Sequence, residues 1–152
     1  MLKRHGAIVL VVLVAVVVFG CGRDPNLPDM QTVTGTVTVD GKPLHDAVVI
    51  FYPTGNTRGT RAHGRTDAQG RYSLTSSKLG EGTPTGSYRV TVSHLTMPDG
   101  SPMPKDKDFD PMTMSFKENL PAQYSQRNAT KLTATVPEGG GEVDFALNSR
   151  GQ

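Results

Sequence analysis

Threonine and valine alternate from Thr32 to Val39, and this alternation sets the strictest limit on the fold. A period of two is typical of a β-strand that buries one face and exposes the other. Asp40 and Gly41 follow at once, and this dipeptide is the strongest short signal for a β-hairpin turn. The chain is therefore predicted to contain a half-buried strand that leads into a tight turn.

Similar patterns recur along the rest of the chain. The segment 47–52 is apolar on both faces and predicts a central strand, while Tyr88, Val90 and Val92 share one face of another. Further short strands are predicted near 61–66, 71–74, 132–136 and 143–147. No segment after Gly20 has a sustained helical period. Together these patterns predict an all-β fold, a single antiparallel β-sandwich of about seven strands.

An apolar run of thirteen residues, 7–19, precedes the strands and follows Lys3 and Arg4. A membrane-spanning helix needs about 20 apolar residues, whereas the apolar region of a signal peptide needs about 7 to 15. The run therefore predicts a cleaved signal peptide over 1–20 that exports the protein. The alternatives are a short membrane anchor and a plain secretory signal beside an incidental cysteine.

The chain has a single cysteine, Cys21, at the end of this run. The tract 18–21 (VFGC) resembles a bacterial lipobox, the site of type II signal peptidase. The resemblance implies that Cys21 carries a palmitate-type lipid as the first residue of the mature protein, and that Gly22 directs it to the outer membrane. A lone cysteine in an exported protein cannot form an internal disulfide, and lipid attachment explains its presence. We therefore expect a membrane-anchored lipoprotein of the bacterial cell envelope, with 21–31 as its tether.

The charge balance argues against nucleic acid as a partner. The chain has 16 basic and 14 acidic residues, and removal of 1–20 takes Lys3 and Arg4 with it, which leaves 132 residues with 14 charges of each sign. A nucleic-acid-binding domain needs a basic patch. The densest basic stretch is interrupted by uncharged residues and an aspartate, and its arginines are Arg58, Arg61, Arg65 and Arg71.

Three segments together resemble one domain family. They are VTGTVTVDGKPLHDAVVIFYP at 33–53, GRTDAQGRYSL at 64–74 and PTGSYRVTVSH at 84–94. These segments resemble the carboxypeptidase-regulatory-like domain, a transthyretin-like β-sandwich, as found in small lipoproteins of the planctomycete type. The resemblance implies an Ig-like Greek-key domain over 32–148, followed by a tail at 149–152. It also implies an accessory role without catalytic residues or a cofactor.

Four residues of these segments are predicted to have structural roles. Gly35 marks a bulge or close packing in the first strand. Gly70 supplies a positive φ in the turn 66–70. Tyr72 and Tyr88 each offer an apolar ring and a hydroxyl that caps an edge of the sandwich.

The segment 95–130 is irregular and holds five prolines and four methionines. A loop of this length in a compact domain is functional or disordered. Methionine makes adaptable apolar contacts, so these side chains are predicted either to contact a partner or to cover the edge of the sandwich. They are Met97, Met103, Met112 and Met114.

No motif of catalysis or metal binding is complete. Asp106, Asp108 and Asp110 alternate as at the start of a calcium loop, but the sixth position lacks glycine and Lys117 occupies the twelfth. A solvated acidic loop is therefore preferred to a calcium site. The histidines of the mature chain lack metal-ligand spacing, and no common hydrolase or phosphate-binding motif is present. These histidines are His45, His63 and His94.

The sequence thus predicts a non-catalytic, lipid-anchored structural or protein-interaction module of the envelope. Its partners would be the membrane, through the lipid, and an envelope protein. No metal or cofactor is expected. The alternative is a surface hydrolase, or an accessory subunit of one, with ligand-binding loops at 95–130. That alternative requires several polar side chains that converge at one pocket.

Overall fold

The computed structural model describes residues 27–104 and 115–151. The predicted signal peptide, most of the predicted tether and part of 95–130 lie outside these ranges. Several residues with predicted roles also lie outside the described ranges. They are Cys21, Gly22, Asp106, Asp108, Asp110, Met112 and Met114.

The described chain is all-β, as predicted, with one helix of four residues. Its strands are β1 (Met30–Gln31), β2 (Val33–Val39), β3 (Lys42–Pro43), β4 (Val48–Thr54), β5 (Ala62–Arg65), β6 (Arg71–Ser73), β7 (Thr75–Ser76), β8 (Gly80–Glu81), β9 (Thr83–Pro84), β10 (Gly86–Ser93), β11 (Leu95–Thr96), β12 (Lys117–Glu118), β13 (Thr133–Val136), β14 (Gly141–Glu142) and β15 (Phe145–Leu147). The helix is α1 (Ala122–Ser125). No helix in the described ranges has the length and apolar character needed to cross a bilayer.

The larger sheet has six strands in the order β13-β10-β4-β5-β7-β8, and every neighbouring pair is antiparallel. β4 lies inside this sheet, as its two apolar faces predict. Val49 and Phe51 are fully buried on one face of β4, and the residues between and beside them are half-buried on the other. β4 therefore separates the core from a second, outward face of the sheet.

The other main sheet is built around β2, which pairs with β3, β6, β14 and β15. β14 and β15 run parallel to β2, so the prediction of purely antiparallel pairing is wrong for this sheet. The reason is the turn after β13, which lies beside the start of β2. Gly139 N donates to Gln31 Oε1 at 2.9 Å, and Gly141 N donates to Thr32 O at 3.0 Å. The chain thus enters the sheet where β2 begins and follows the same direction.

Two predicted turns have the expected backbone. Asp40 and Gly41 have φ values of 50° and 77° between the paired residues Val39 and Lys42, which is the geometry of a two-residue hairpin. Gly70 has a φ of 74°, as predicted, in the turn that carries the chain from β5 in one sheet to β6 in the other. This second turn connects the two sheets, because β5 and β6 pair with different partners.

One hydrophobic core receives side chains from both sheets. The Phe51 ring lies 5.6 Å from that of Tyr88 and 6.2 Å from that of Phe145, measured between ring centroids. Phe51 and Tyr88 come from the six-stranded sheet, whereas Phe145 comes from the sheet around β2. The three rings therefore join the two sheets at the centre of the molecule.

Close packing, the second of the two roles predicted for Gly35, is present. A Cβ at this position would lie 1.8 Å from the carbonyl oxygen of Val143. The buried Tyr72 hydroxyl donates to the same oxygen at 2.6 Å. The buried Tyr88 hydroxyl donates to Pro84 O at 2.6 Å. Both tyrosines thus combine a core ring with a hydrogen bond to backbone.

Tyr72→Phe is expected to reduce stability in a pH-dependent way. Burial, with a further contribution from Asp144, raises the pKa of Tyr72 well above its usual range. The lost hydrogen bond to Val143 O should cost about 1 kcal/mol at neutral pH. Above pH ~10 the Tyr72 hydroxyl loses its proton in the unfolded wild type but keeps it in the folded state. The free energy of unfolding of the wild type therefore falls by up to about 1.4 kcal/mol per pH unit because of this hydroxyl. Urea unfolding from pH 7 to 11 should show the two stabilities converging; a constant difference would contradict the assignment.

The first and last parts of β10 mark opposite ends of the domain. β9 immediately precedes β10 and pairs with β1, so the described chain starts near Gly86. β11 follows Ser93 at the other end. Met30 and Gln31, the last residues of the predicted tether, are thus already part of the fold. The eight residues of β10 separate the two ends by about 26 Å.

Candidate functional site

The two ends of the segment 95–130 are held together at the far end of β10. β11 and β12 pair antiparallel, with Leu95 opposite Glu118. The Asn119 side chain donates from Nδ2 to His94 O at 2.9 Å and to Thr96 Oγ1 at 3.1 Å. The base of the predicted insertion is therefore an ordered hairpin stem.

The carboxylate of Glu118 is the centre of this stem. Its Oε2 accepts a hydrogen bond of 2.5 Å from Ser93 Oγ. Its Oε1 accepts from the backbone N–H of His94 at 3.0 Å and of Leu120 at 2.9 Å. Hydrogen bonds to a charged acceptor are stronger than neutral ones. One side chain thus ties the end of β10 to both sides of the stem.

Serine, histidine and glutamate meet here, but not in the arrangement of a hydrolase. In a catalytic triad an imidazole lies between the hydroxyl and the carboxylate and removes the hydroxyl proton. Here Ser93 Oγ donates directly to Glu118, and His94 takes part through its backbone N–H. A carboxylate is a much weaker base than imidazole. These three residues therefore stabilise the junction between β10 and the stem, and their geometry does not activate the serine.

Glu118→Gln is expected to lower the free energy of unfolding by about 1–2 kcal/mol, because the amide presents a single oxygen and removes the charge that strengthens three hydrogen bonds. Hydrogen exchange should also quicken at the amides of His94 and Leu120. Glu138→Gln is the control, since Glu138 is an exposed turn residue. Equal stability and exchange in the two variants would contradict the role of Glu118.

Met97 and Met103 lie beside the stem and are half-buried. Met97 begins a tight turn in which Gly100 N donates to Met97 O at 2.9 Å. Within this turn Asp99 accepts from both the side chain and the backbone of Ser101, and these bonds lower the pKa of Asp99. Two roles were predicted for the four methionines: contact with a partner, or covering an edge of the sandwich. Both stay predictions, and Met112 and Met114 lie outside the described residues.

The end of the predicted irregular segment belongs to the core. Leu120 and Tyr124 are buried, and the Thr130 hydroxyl donates to Val90 O at 2.7 Å. α1 begins after Pro121 and has only four residues, so it is too short to show a helical period in the sequence and was not predicted. The residues that follow α1 also reach the outward face of β4, where the Arg127 guanidinium lies 4.6 Å from the centroid of the Tyr52 ring.

An open depression of about 440 Å³ lies on this outward face. Arg65, at its side, forms an ion pair with the buried Asp46, with 2.7 Å between Nη1 and Oδ1. Within the described ranges, no group of three or more histidine, cysteine, aspartate or glutamate residues could hold a metal ion. The depression is lined by Val48, His63, Gly64, Arg65, Ser73 and Thr75.

No family model matches the sequence, and no curated protein matches it. Among solved structures, the chain is similar to the crystal structure of a 9R-lipoxygenase from Cyanothece PCC8801, with a TM-score of 0.33 and 14% sequence identity. The match covers 78% of this chain and 16% of the lipoxygenase chain. This likeness gives no basis for assigning an activity.

Proposed function

We propose that the protein is a non-catalytic, lipid-anchored component of the bacterial cell envelope that acts as a structural or protein-interaction module. The observation that carries this proposal is the VFGC tract at 18–21, which directly follows thirteen apolar residues and a basic start. The outer membrane is the favoured location, because Gly22 follows the cysteine. The membrane and an envelope protein are the partners in this proposal.

In the same proposal the domain is a β-sandwich of the carboxypeptidase-regulatory-like, transthyretin-like kind. Several features support it: two sheets that share one core, the hairpin at Asp40 and Gly41, and the turn at 66–70 that passes between the sheets. The tyrosines at 72 and 88, which the resemblance includes, both place their rings in that core.

The proposed anchor would orient the domain. Met30 lies nine positions after Cys21, and nine residue steps of extended chain span at most about 32 Å. The end of the domain that carries β1 and β9 would therefore face the membrane. The stem of β11 and β12 lies at the opposite end of β10, so it would be presented away from the lipid surface.

Metabolic labelling with a palmitate analogue tests the anchor. The wild-type protein should incorporate the label and remain in the membrane fraction after a high-salt wash. Cys21→Ser should lose both properties, because the thiol that accepts the lipid is gone. Gly22→Ala retains the cysteine and should be labelled like the wild type. Equal labelling of the wild type and Cys21→Ser would refute lipid attachment at this position.

A further inference from the structure

The outward face of the six-stranded sheet combines an apolar row with arginines from distant parts of the chain. Val48, Ile50 and Tyr52 alternate along β4 with the buried Val49 and Phe51, so they point away from the core. All three are half-buried. They form a continuous apolar row whose side chains repeat about every 6.6–7 Å.

The arginines gather around Tyr52. Arg89 on β10 is the cross-strand partner of Tyr52, and the Arg127 guanidinium lies over the Tyr52 ring. Arg61 immediately precedes Ala62, the partner of Phe51 on the other side of β4. All three arginines are exposed. We call these residues, with the apolar row of Val48, Ile50 and Tyr52, the outer sheet face.

The charge of the outer sheet face is uncompensated within the described part of the chain. There, Arg61, Arg89 and Arg127 make no salt bridge, whereas Arg65 and Arg71 each pair with an aspartate. Carboxylates would neutralise this charge, and the planar guanidinium binds them through two parallel hydrogen bonds.

We propose that the outer sheet face is a docking surface for an extended, acidic segment of a partner protein, in which apolar side chains and carboxylates lie on the same face. The proposal rests on the proposed function as a protein-interaction module and gives that module a surface and a partner chemistry. An extended segment repeats its side chains on one face at the same spacing as Val48, Ile50 and Tyr52. Its apolar residues would cover the row while its carboxylates pair with the arginines.

A polysaccharide fits the outer sheet face less well than a protein segment. Sugars pack against open aromatic rings, but two of the three residues in the row, Val48 and Ile50, are aliphatic. The ring of Tyr52 already has the Arg127 guanidinium over one face. Aliphatic side chains flanked by guanidinium groups suit a ligand that is both apolar and acidic.

Fluorescence anisotropy with full-length protein in detergent tests the proposal. The probe is a labelled peptide in which leucine and glutamate take turns at every second position, with serine between them, so that both lie on one face of the extended chain. In the comparison peptides, serine replaces the leucines or lysine replaces the glutamates. We expect saturable binding of the first peptide alone, weakened by salt because exposed charges contribute. Arg89→Glu and Arg127→Glu should each weaken binding by about tenfold or more, since each replaces attraction by repulsion. Ile50→Thr should weaken binding to a similar degree, and it keeps a β-branched residue in the strand.

Lys42→Glu is the matched control, because it makes the same charge change at an exposed residue of the hairpin in the other sheet. Its affinity should stay within about twofold of the wild type, as for a charge remote from the contact. Thermal midpoints show that each variant is folded.

Unchanged affinity in the arginine variants, or equal binding of the glutamate–serine peptide, would overturn the proposal. Arginine-dependent binding of alginate without binding of the peptide would overturn it in favour of a polysaccharide. Peptide binding by Cys21→Ser reports on the docking surface independently of the anchor, so the two proposals can fail separately.

Discussion

Gly35→Ala is expected to lower the free energy of unfolding by about 2–4 kcal/mol. The added Cβ would lie 1.8 Å from Val143 O and 2.9 Å from the Tyr72 hydroxyl oxygen. Overpacking of this kind costs about 1–3 kcal/mol, and the disturbed hydrogen bond between Tyr72 and Val143 adds about 1 kcal/mol. Relief requires the backbone near Val143 to move away from β2, since the closest atom belongs to a carbonyl group. Urea unfolding at neutral pH measures the loss.

The control for this substitution is Gly55→Asn. Gly55 has a φ of 59° and nothing within 4 Å of an added Cβ, and asparagine tolerates this backbone region. Its cost should be about 1 kcal/mol or less, because asparagine accepts the left-handed backbone region better than other residues with a side chain. A Gly35→Ala protein as stable as Gly55→Asn would mean that Val143 does not pack against β2 as described.

Phe51→Ala is expected to cost about 3–5 kcal/mol, the range for removing a large ring from a core. Phe51 is fully buried and contacts aromatic rings from both sheets, so neither sheet can close the space alone. Phe51→Leu retains most of the buried volume and should lose markedly less. Denaturant unfolding compares the two, and a loss below about 1 kcal/mol for Phe51→Ala would place the ring outside the core.

Strand positions were predictable because alternation reports burial directly. The runs at 32–39, 47–52 and 88–92 each correspond to a strand whose buried face matches the sequence pattern. The partner of each strand was not predictable in the same way. The parallel pairing of β15 with β2 depends on where the turn after β13 lies. The glycines in that turn indicate a flexible backbone, but they do not indicate which way the following strand runs.

The residues of the outer sheet face could be predicted only in part. Alternation in 47–52 already places Val48, Ile50 and Tyr52 on one face. The positive charge on that face could not be seen in the sequence. Arg89 lies beside Tyr52 because of the register between β10 and β4, and Arg127 lies there because the chain after α1 passes over Tyr52. The linear sequence suggested a neutral domain without a basic patch. Net charge adds all residues together, whereas a partner meets only those on one face.

The position of β2 has a mechanical consequence if the proposed anchor tethers the domain through its amino terminus. A pull on Met30 acts first on the two-residue pair of β1 and β9, whose few hydrogen bonds can separate one after another. The same pull then acts along the axis of β2, which is bonded to β6 on one side and to β14 and β15 on the other. Those bonds lie across the direction of the force and must break together. A tether joined to β2 would therefore carry tension into the most extensively bonded strand of its sheet, and the domain would resist shear more strongly than its short peripheral strands suggest.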